Sequence, residues 1–542
     1  MTHCRILAAL PFLALAAPAL AQTPCSELAS VAPEGVTVTE AAETRATDEI
    51  PVDHCLVRGT MSERTGEDGR PYALNFELRL PAEWTGRFMH QFNGGNDGEV
   101  VPALGQGVGV PNGDSALQRG FAVVSSDAGH DGEANPGAGL AGSNVFGLEF
   151  EARRMYGYGA VAALHPVALD LTEAHYGRAP DFVYGYGRSN GGRHGMVAAR
   201  RMPEVFDGIL AGYPGFNLPR AALQHAWDVQ TFLSVGDTLP EAFSREDLQI
   251  VADGIVAACD ALDGLEDGLV SAAIECQSAF NPETLICDGG TETCLPQEKV
   301  AALQRIHAGP TNSAGEQLYS DWPWDTGIAT EDWRFWKLES QIPPWGNQPL
   351  IAVMGAGSLA QVFTTPPTTV EGDPESLQQY LVEFDFDEDA PNIDATTDAF
   401  PESAMELMTP PDADEPELTE FQDAGGKLII FHGTSDPVFS FNDTVDWFEA
   451  LQENNPDAGG FVRLYPVPGM PHGQGGASAD EFDLLSALTD WVEAGEVPGH
   501  VTAAVRADNE AAPEEIRGSV RPLCPYPAEP HHENAEGSFT CE

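Results

Sequence analysis

The sequence predicts an α/β protein: a parallel sheet covered by helices on both faces, in one domain interrupted by a large insertion. Three observations carry this. Strand-like segments rich in β-branched and aromatic residues alternate with helix-forming ones. The alternation stops near residue 216 and resumes near 425. Between strand and helix at residues 184–195 lies a glycine-rich junction, Tyr-Gly-Tyr-Gly-Arg-Ser-Asn-Gly-Gly-Arg-His-Gly.

In chain order, Phe76–Leu80, Phe88–Phe92 and Phe121–Ser125 read as strands, and Tyr158–Tyr176 as a helix. Asp181–Tyr186 is a further strand, and Met196–Arg201 a helix that Pro203 stops. Ile209–Pro214 is the next strand. Residues 216–424 carry four cysteines, clustered tryptophans and a Pro- and acid-rich stretch at Thr409–Pro416, and read as a lid above the strand ends. Lys427–Phe431 and Phe461–Tyr465 resume the strands, and Asp480–Ala494 is a helix. The chain thus divides into a first catalytic part (22–215), the lid (216–424) and a second catalytic part (425–542).

Residues 1–21 read as a secretory signal. A polar start is followed by an apolar run, Ile6–Leu20, and an Ala19-Leu20-Ala21 cleavage site. This predicts a secreted or periplasmic protein with no membrane span. Eight further cysteines fit an oxidising compartment and four disulfides, among roughly a hundred connectivities. Neighbour spacing favours Cys25–Cys55, Cys259–Cys276, Cys287–Cys294 and Cys524–Cys541, the last closing a C-terminal tail. The net charge is −58, from 84 acidic and 26 basic residues, and Lys299, Lys337 and Lys427 are the lysines. That balance excludes a basic nucleic-acid surface. It keeps a chain soluble where salt screens repulsion, as in a saline habitat.

Gly187-Arg188-Ser189-Asn190-Gly191 fits the G-x-S-x-G elbow, which exposes a serine on a sharp strand-to-helix turn. A serine hydroxyl needs a base, and the base needs an orienting acid. In an α/β-hydrolase fold these follow in the order acid, then His. Asp436 and His472 stand in that order, each just past a strand. The oxyanion donors are the amide of Asn190 and one from Phe92-Asn-Gly-Gly-Asn-Asp-Gly98, with Gly95 preferred over Gly94. In the lid, five tryptophans lie between Trp322 and Trp345. Trp333 and Trp336 offer walls for planar acyl groups, and Arg334 and Lys337 offer charges for a substrate carboxylate.

With these pieces placed, the chain resembles the tannase and feruloyl esterase family. The resemblance rests on Tyr176-Gly177, Gly191–Gly195, Arg201–Gly212, Ser126–His130, Gly433–Pro437, Val467–His472 and Arg521–Tyr526. It implies an α/β-hydrolase fold with a lid, and hydrolysis of carboxylic esters of aromatic acids such as feruloyl or galloyl esters. It also favours the four disulfides above. An alternative is a monoester of an aromatic diacid, such as mono(2-hydroxyethyl) terephthalate. A different class is a non-catalytic binding protein on the same scaffold. The segment Cys259–Leu269 resembles the family's calcium loop. Carboxylates would come from Asp260, Asp263 and Asp267, and carbonyls from Leu265 and Leu269, for a structural ion. The chain departs from the family in one place. The cysteines usually found just before the nucleophile and just after the catalytic histidine are replaced by Arg188 and Gly473. Either lid packing or a salt bridge from Arg188 is then expected to hold the two loops, or the loops are looser than usual.

Overall fold

The computed structural model describes residues 22–287, 293–532 and 539–542. The signal segment and its cleavage site lie outside the described residues. A nine-stranded sheet forms the centre. Its strands are β1 (Val36–Thr44), β2 (His54–Thr65), β3 (Pro71–Pro81), β4 (Arg87–Phe92), β5 (Phe121–Ser126), β6 (Phe182–Arg188), β7 (Gly208–Gly212), β8 (Lys427–Gly433) and β9 (Val462–Val467). Their spatial order is β1-β2-β3-β5-β4-β6-β7-β8-β9.

From β5 to β9 the pairing is parallel, and period-2 side chains bury both faces. Ile209, Ala211, Leu428 and Ile430 face one apolar layer; Leu210, Ile429 and Phe431 face the other. β1, β2 and β3 pair antiparallel, and β3 joins β5 antiparallel. This corrects the all-parallel expectation. β1 escapes a hydrophobic scan because it is an exposed edge strand, and β2 because its second half, residues 60–65, is largely polar and exposed or half-buried. The predicted helix at 480–494 is shorter, Leu484–Ala494. Asp483 caps it, its carboxylate accepting the Ser486 N–H at 2.9 Å, while Glu481–Phe482 pairs with Ala503–Ala504 as a strand.

The insertion between β7 and β8 is mainly helical, and its apolar residues, Phe232, Leu248, Trp333 and Leu381 among them, share one cluster with Phe146, Tyr156 and Phe439 from the rest of the chain. The four disulfides join Cys25–Cys55, Cys259–Cys276, Cys287–Cys294 and Cys524–Cys541. No helix among the described residues is long and apolar enough to cross a membrane.

Candidate active site

Ser189 stands between β6 and the helix Asn190–Arg201, with φ 60° and ψ −127°. The turn is tight because the surrounding residues are glycines. A Cβ on Gly187 would lie 2.4 Å from the Gly191 carbonyl oxygen, and one on Gly191 would lie 2.4 Å from that of Phe92. The helix can therefore start directly on the sheet. Asp436 follows β8 and His472 follows β9, so parallel strands deliver all three side chains to one edge.

The three side chains meet. His472 Nδ1 is 2.7 Å from Asp436 Oδ2, and His472 Nε2 is 2.9 Å from Ser189 Oγ. The carboxylate faces Nδ1 and sets the proton there, leaving Nε2 to accept the serine O–H. Asp436 is buried. Its other oxygen accepts the Val438 and Phe439 N–H groups at 2.8 and 3.0 Å. Burial pushes its carboxyl up, but the His472 charge and hydrogen bonds from His432 and His472 outweigh this and hold it well below the usual range. The His472 ring sits among Tyr213, Trp336 and Phe439, with centroids 4.8, 5.1 and 5.4 Å away.

The loop after β4 runs beside the elbow: a Cβ on Gly94 would lie 3.5 Å from the Arg188 carbonyl oxygen. Gly95 has φ 62°, open to glycine, and its position faces free space. Among the described residues neither the Gly95 nor the Asn190 amide donates to another backbone carbonyl. A buried network ties this loop to the elbow. Asn190 Nδ2 donates to Asp97 at 2.8 Å, His194 Nε2 lies 3.0 Å from the same oxygen, and Arg193 Nε donates to Asn190 Oδ1 at 2.6 Å. Burial pushes the Asp97 carboxyl up to about 7, against the charges of His130 and Arg193.

These groups open into a cavity of about 530 Å³. Its walls are largely aromatic and apolar: Phe92, Tyr156, Tyr186, Tyr213, Phe363 and Phe439 among others. The insertion contributes Leu218, His225, Trp336, Met354 and Phe363 to them. A serine, a base and two free amides in such a pocket can cleave an ester by acyl transfer.

The family model for "Tannase and feruloyl esterase" matches residues 55–542. The chain belongs to that family. It is 38% identical to the mono(2-hydroxyethyl) terephthalate hydrolase of Piscinibacter sakaiensis, over 94% of this chain and 89% of that one. It is 25% identical to the probable feruloyl esterase B of Aspergillus niger, over 91% and 90% of the two chains. The crystal structure of feruloyl esterase B from Aspergillus oryzae superposes with a TM-score of 0.74 at 20% identity, covering 96% of this chain and 99% of that one. The protein is a carboxylic ester hydrolase of the tannase and feruloyl esterase family, with the α/β-hydrolase fold.

Of the four insertion residues expected to touch substrate, Trp336 lines the cavity and the other three do not. Trp333 is buried against Phe232. Arg334 is buried, donating to Glu339 at 2.9 Å and to the Phe243 carbonyl at 2.8 Å. Lys337 is buried against Asp228 and lies over the Trp322 ring at 4.6 Å. Both charges are spent inside the insertion, because a buried cation must be paired. The same helix, Glu331–Lys337, holds a residue the sequence reading missed. Asp332 sits beside His472, and burial pushes its carboxyl up to about 6 while the His472 charge pulls it down. Its spacing of four from Trp336, one helical turn, was the available signal.

The salt bridge expected from Arg188 is absent among the described residues. Instead Arg188 Nη1 donates to the Tyr213 hydroxyl at 3.4 Å, and the Tyr213 ring packs on His472, so Tyr213 links the two loops.

Among the described residues no three acidic, His or Cys side chains, those of Asp260, Asp263 and Asp267 included, form a metal site. Asp260 accepts the Gly268 N–H at 3.0 Å, Asp263 accepts that of Leu265 at 2.9 Å, and Asp267 pairs with Arg521. The Leu269 carbonyl accepts the Ser271 N–H at 3.1 Å. Backbone donors thus occupy oxygens that would face the ion. One observation fits a cation: Asp263 Oδ2 is buried without a hydrogen-bond partner.

Proposed function

We propose that the chain hydrolyses monoesters of aromatic dicarboxylic acids, of which mono(2-hydroxyethyl) terephthalate is one, through an acyl-enzyme on Ser189. The observation that carries the reading is the cavity above Ser189. Its walls are largely aromatic and apolar, and among the described residues no Asp or Glu lines it, in a chain with 84 of them. A planar acid fits between such walls, and its free carboxylate meets no like charge. The 38% identity to a hydrolase of that ester supports the same reading over the feruloyl or galloyl one.

In the proposed reaction the Ser189 hydroxyl attacks the ester carbonyl as His472 Nε2 takes its proton. Asp436 holds the imidazole and stabilises its charge. The Asn190 and Gly95 amides receive the oxyanion. Collapse expels the alcohol, which takes the proton back from His472. Water, activated by the same histidine, then attacks the acyl-enzyme and releases the acid. Residues 216–424 act as the lid that closes the aromatic walls over the ester. We further propose that Asp260, Asp263 and Asp267 take up a structural calcium ion, with the unpartnered Asp263 oxygen as the support. The four disulfides favour a location outside the cytoplasm.

Steady-state kinetics on terephthalate-monoester, feruloyl, galloyl and aliphatic esters test the function. The monoester should give the highest kcat/KM, and Ser189→Ala should lose at least about a thousandfold of it while melting as a folded protein. A feruloyl or aliphatic preference removes the substrate reading. An active Ser189→Ala removes the mechanism.

A further inference from the structure

We infer that Arg188 is the anchor for a free carboxylate on the substrate and so sets the choice of acid esters over neutral ones; this rests on the cavity being the ester site. Among the described residues, Arg188 is the sole lysine or arginine lining that cavity. It is the last residue of β6, between Gly187 and Ser189, and lines the same cavity as Ser189.

Its partners set it apart from the other arginines near the site. Arg193 donates to the Tyr156 and Gly157 carbonyls at 3.0 and 2.8 Å, and Arg153 to those of Gly147, Gln361 and Thr364 at 2.5, 2.9 and 2.8 Å. Those guanidinium groups are filled. Arg188 has one long bond, to the Tyr213 hydroxyl at 3.4 Å, and no ion pair among the described residues. A guanidinium carries five N–H donors in a planar fork that matches a carboxylate, and partly exposed Arg188 keeps most of them free of protein acceptors. Space for the fork is made by Gly107 at φ +133°, where a Cβ would lie 2.5 Å from Arg188 Cζ. The candidates from the insertion, Arg334 and Lys337, are already paired with Glu339 and Asp228.

The charge of the whole chain strengthens the argument. A net charge of −58 repels an anionic substrate. Salt screens that repulsion beyond about 10 Å, so a local cation has to hold the carboxylate once it enters. The carboxylate can belong to the acyl ring, as in an aromatic diacid monoester, or to the alcohol, as in an aromatic ester of a hydroxy acid. Both offer the same group to Arg188.

Four substrates separate the sources: monomethyl terephthalate against dimethyl terephthalate, and the benzoyl ester of glycolic acid against its methyl ester. They are assayed with the full chain, Arg188→Gln and Arg188→Lys. Arg188→Gln should raise KM for the acid member of one pair about tenfold or more, with kcat little changed, and shift the neutral member less than about twofold. The pair that responds identifies the side. Arg188→Lys, which keeps the charge, should recover part of the loss. Terephthalate as a competitive inhibitor of neutral-ester hydrolysis gives a second readout: its inhibition constant should rise about tenfold in Arg188→Gln. Unchanged acid-to-neutral ratios and an unchanged inhibition constant overturn the anchor and leave the proposed function standing. Equal losses on acid and neutral esters make Arg188 a structural residue and also overturn it. If the unaltered chain turns over none of the four esters, the proposed function falls first.

Discussion

Ser189 is held in backbone torsions rare for a residue with a side chain, and hydrogen bonds on both sides fix it there. Its N–H donates to the Gly212 carbonyl at 2.9 Å, and its own carbonyl accepts the Arg193 N–H at 3.1 Å. Asp97 at φ 54° and Tyr213 at φ 32° are also strained residues of the site, and Asp97 is the one that carries charge. Its carboxylate ties the Gly94–Asp97 turn to Asn190 among His130, Tyr156, Arg193 and His194. Folding raises its pKa from 3.8 to about 7. Between those values the unfolded chain has lost the proton and the folded chain keeps it, so stability from this residue falls as pH rises. Asp97→Asn mimics the protonated form and cannot ionise. The melting temperature of the variant relative to the parent should therefore climb from pH 4 to pH 7 and level off above, with an upper bound of about 4 kcal/mol. A difference independent of pH contradicts the assignment. Asp97 was not legible in the sequence, since an Asp after Asn-Gly-Gly-Asn reads as an ordinary loop residue. Ser189, Asp436 and His472 were legible as a group because each stands just past a strand and they follow in the order the fold requires.

At the level of elements, the helix Glu331–Lys337 shows why the insertion was read only in part. Trp333 and Lys337, four apart, face the insertion's interior, while Asp332 and Trp336, also four apart, face His472. Composition alone made all the aromatic and basic residues equal candidates; the helical period separates them. The loop 260–269 poses the opposite problem. Its acidic residues and glycines were visible, yet the carboxylates cap backbone N–H groups, and Arg521 from the C-terminal region pairs with Asp267. If the loop takes up calcium as proposed, removing it with a chelator should lower the melting temperature and adding calcium should restore it. At a hundredfold excess over Kd the gain is about 2.7 kcal/mol. A melting temperature indifferent to chelator and calcium removes the ion from the account.

Across the whole molecule, the parallel half of the sheet was readable because its strands are buried on both faces and short apolar runs announce them. The antiparallel end was not, because β1 is an exposed edge strand and the second half of β2 is largely polar. The insertion's place between β7 and β8 was visible as a break in alternation. What it packs against depends on contacts distant in sequence, such as Trp336 on His472. The proposed function comes down to one statement: Ser189 is acylated by an aromatic acid that keeps a free carboxylate. Rapid quenching of the full chain with mono(2-hydroxyethyl) terephthalate, followed by peptide mass spectrometry, tests it directly. The account predicts a terephthaloyl adduct on the peptide carrying Ser189 when turnover by the unaltered chain is quenched in acid, and no adduct in Ser189→Ala or in His472→Ala, which lacks the base for acylation. Turnover of this ester with the adduct on another residue, or no reaction with it at all, would contradict the account.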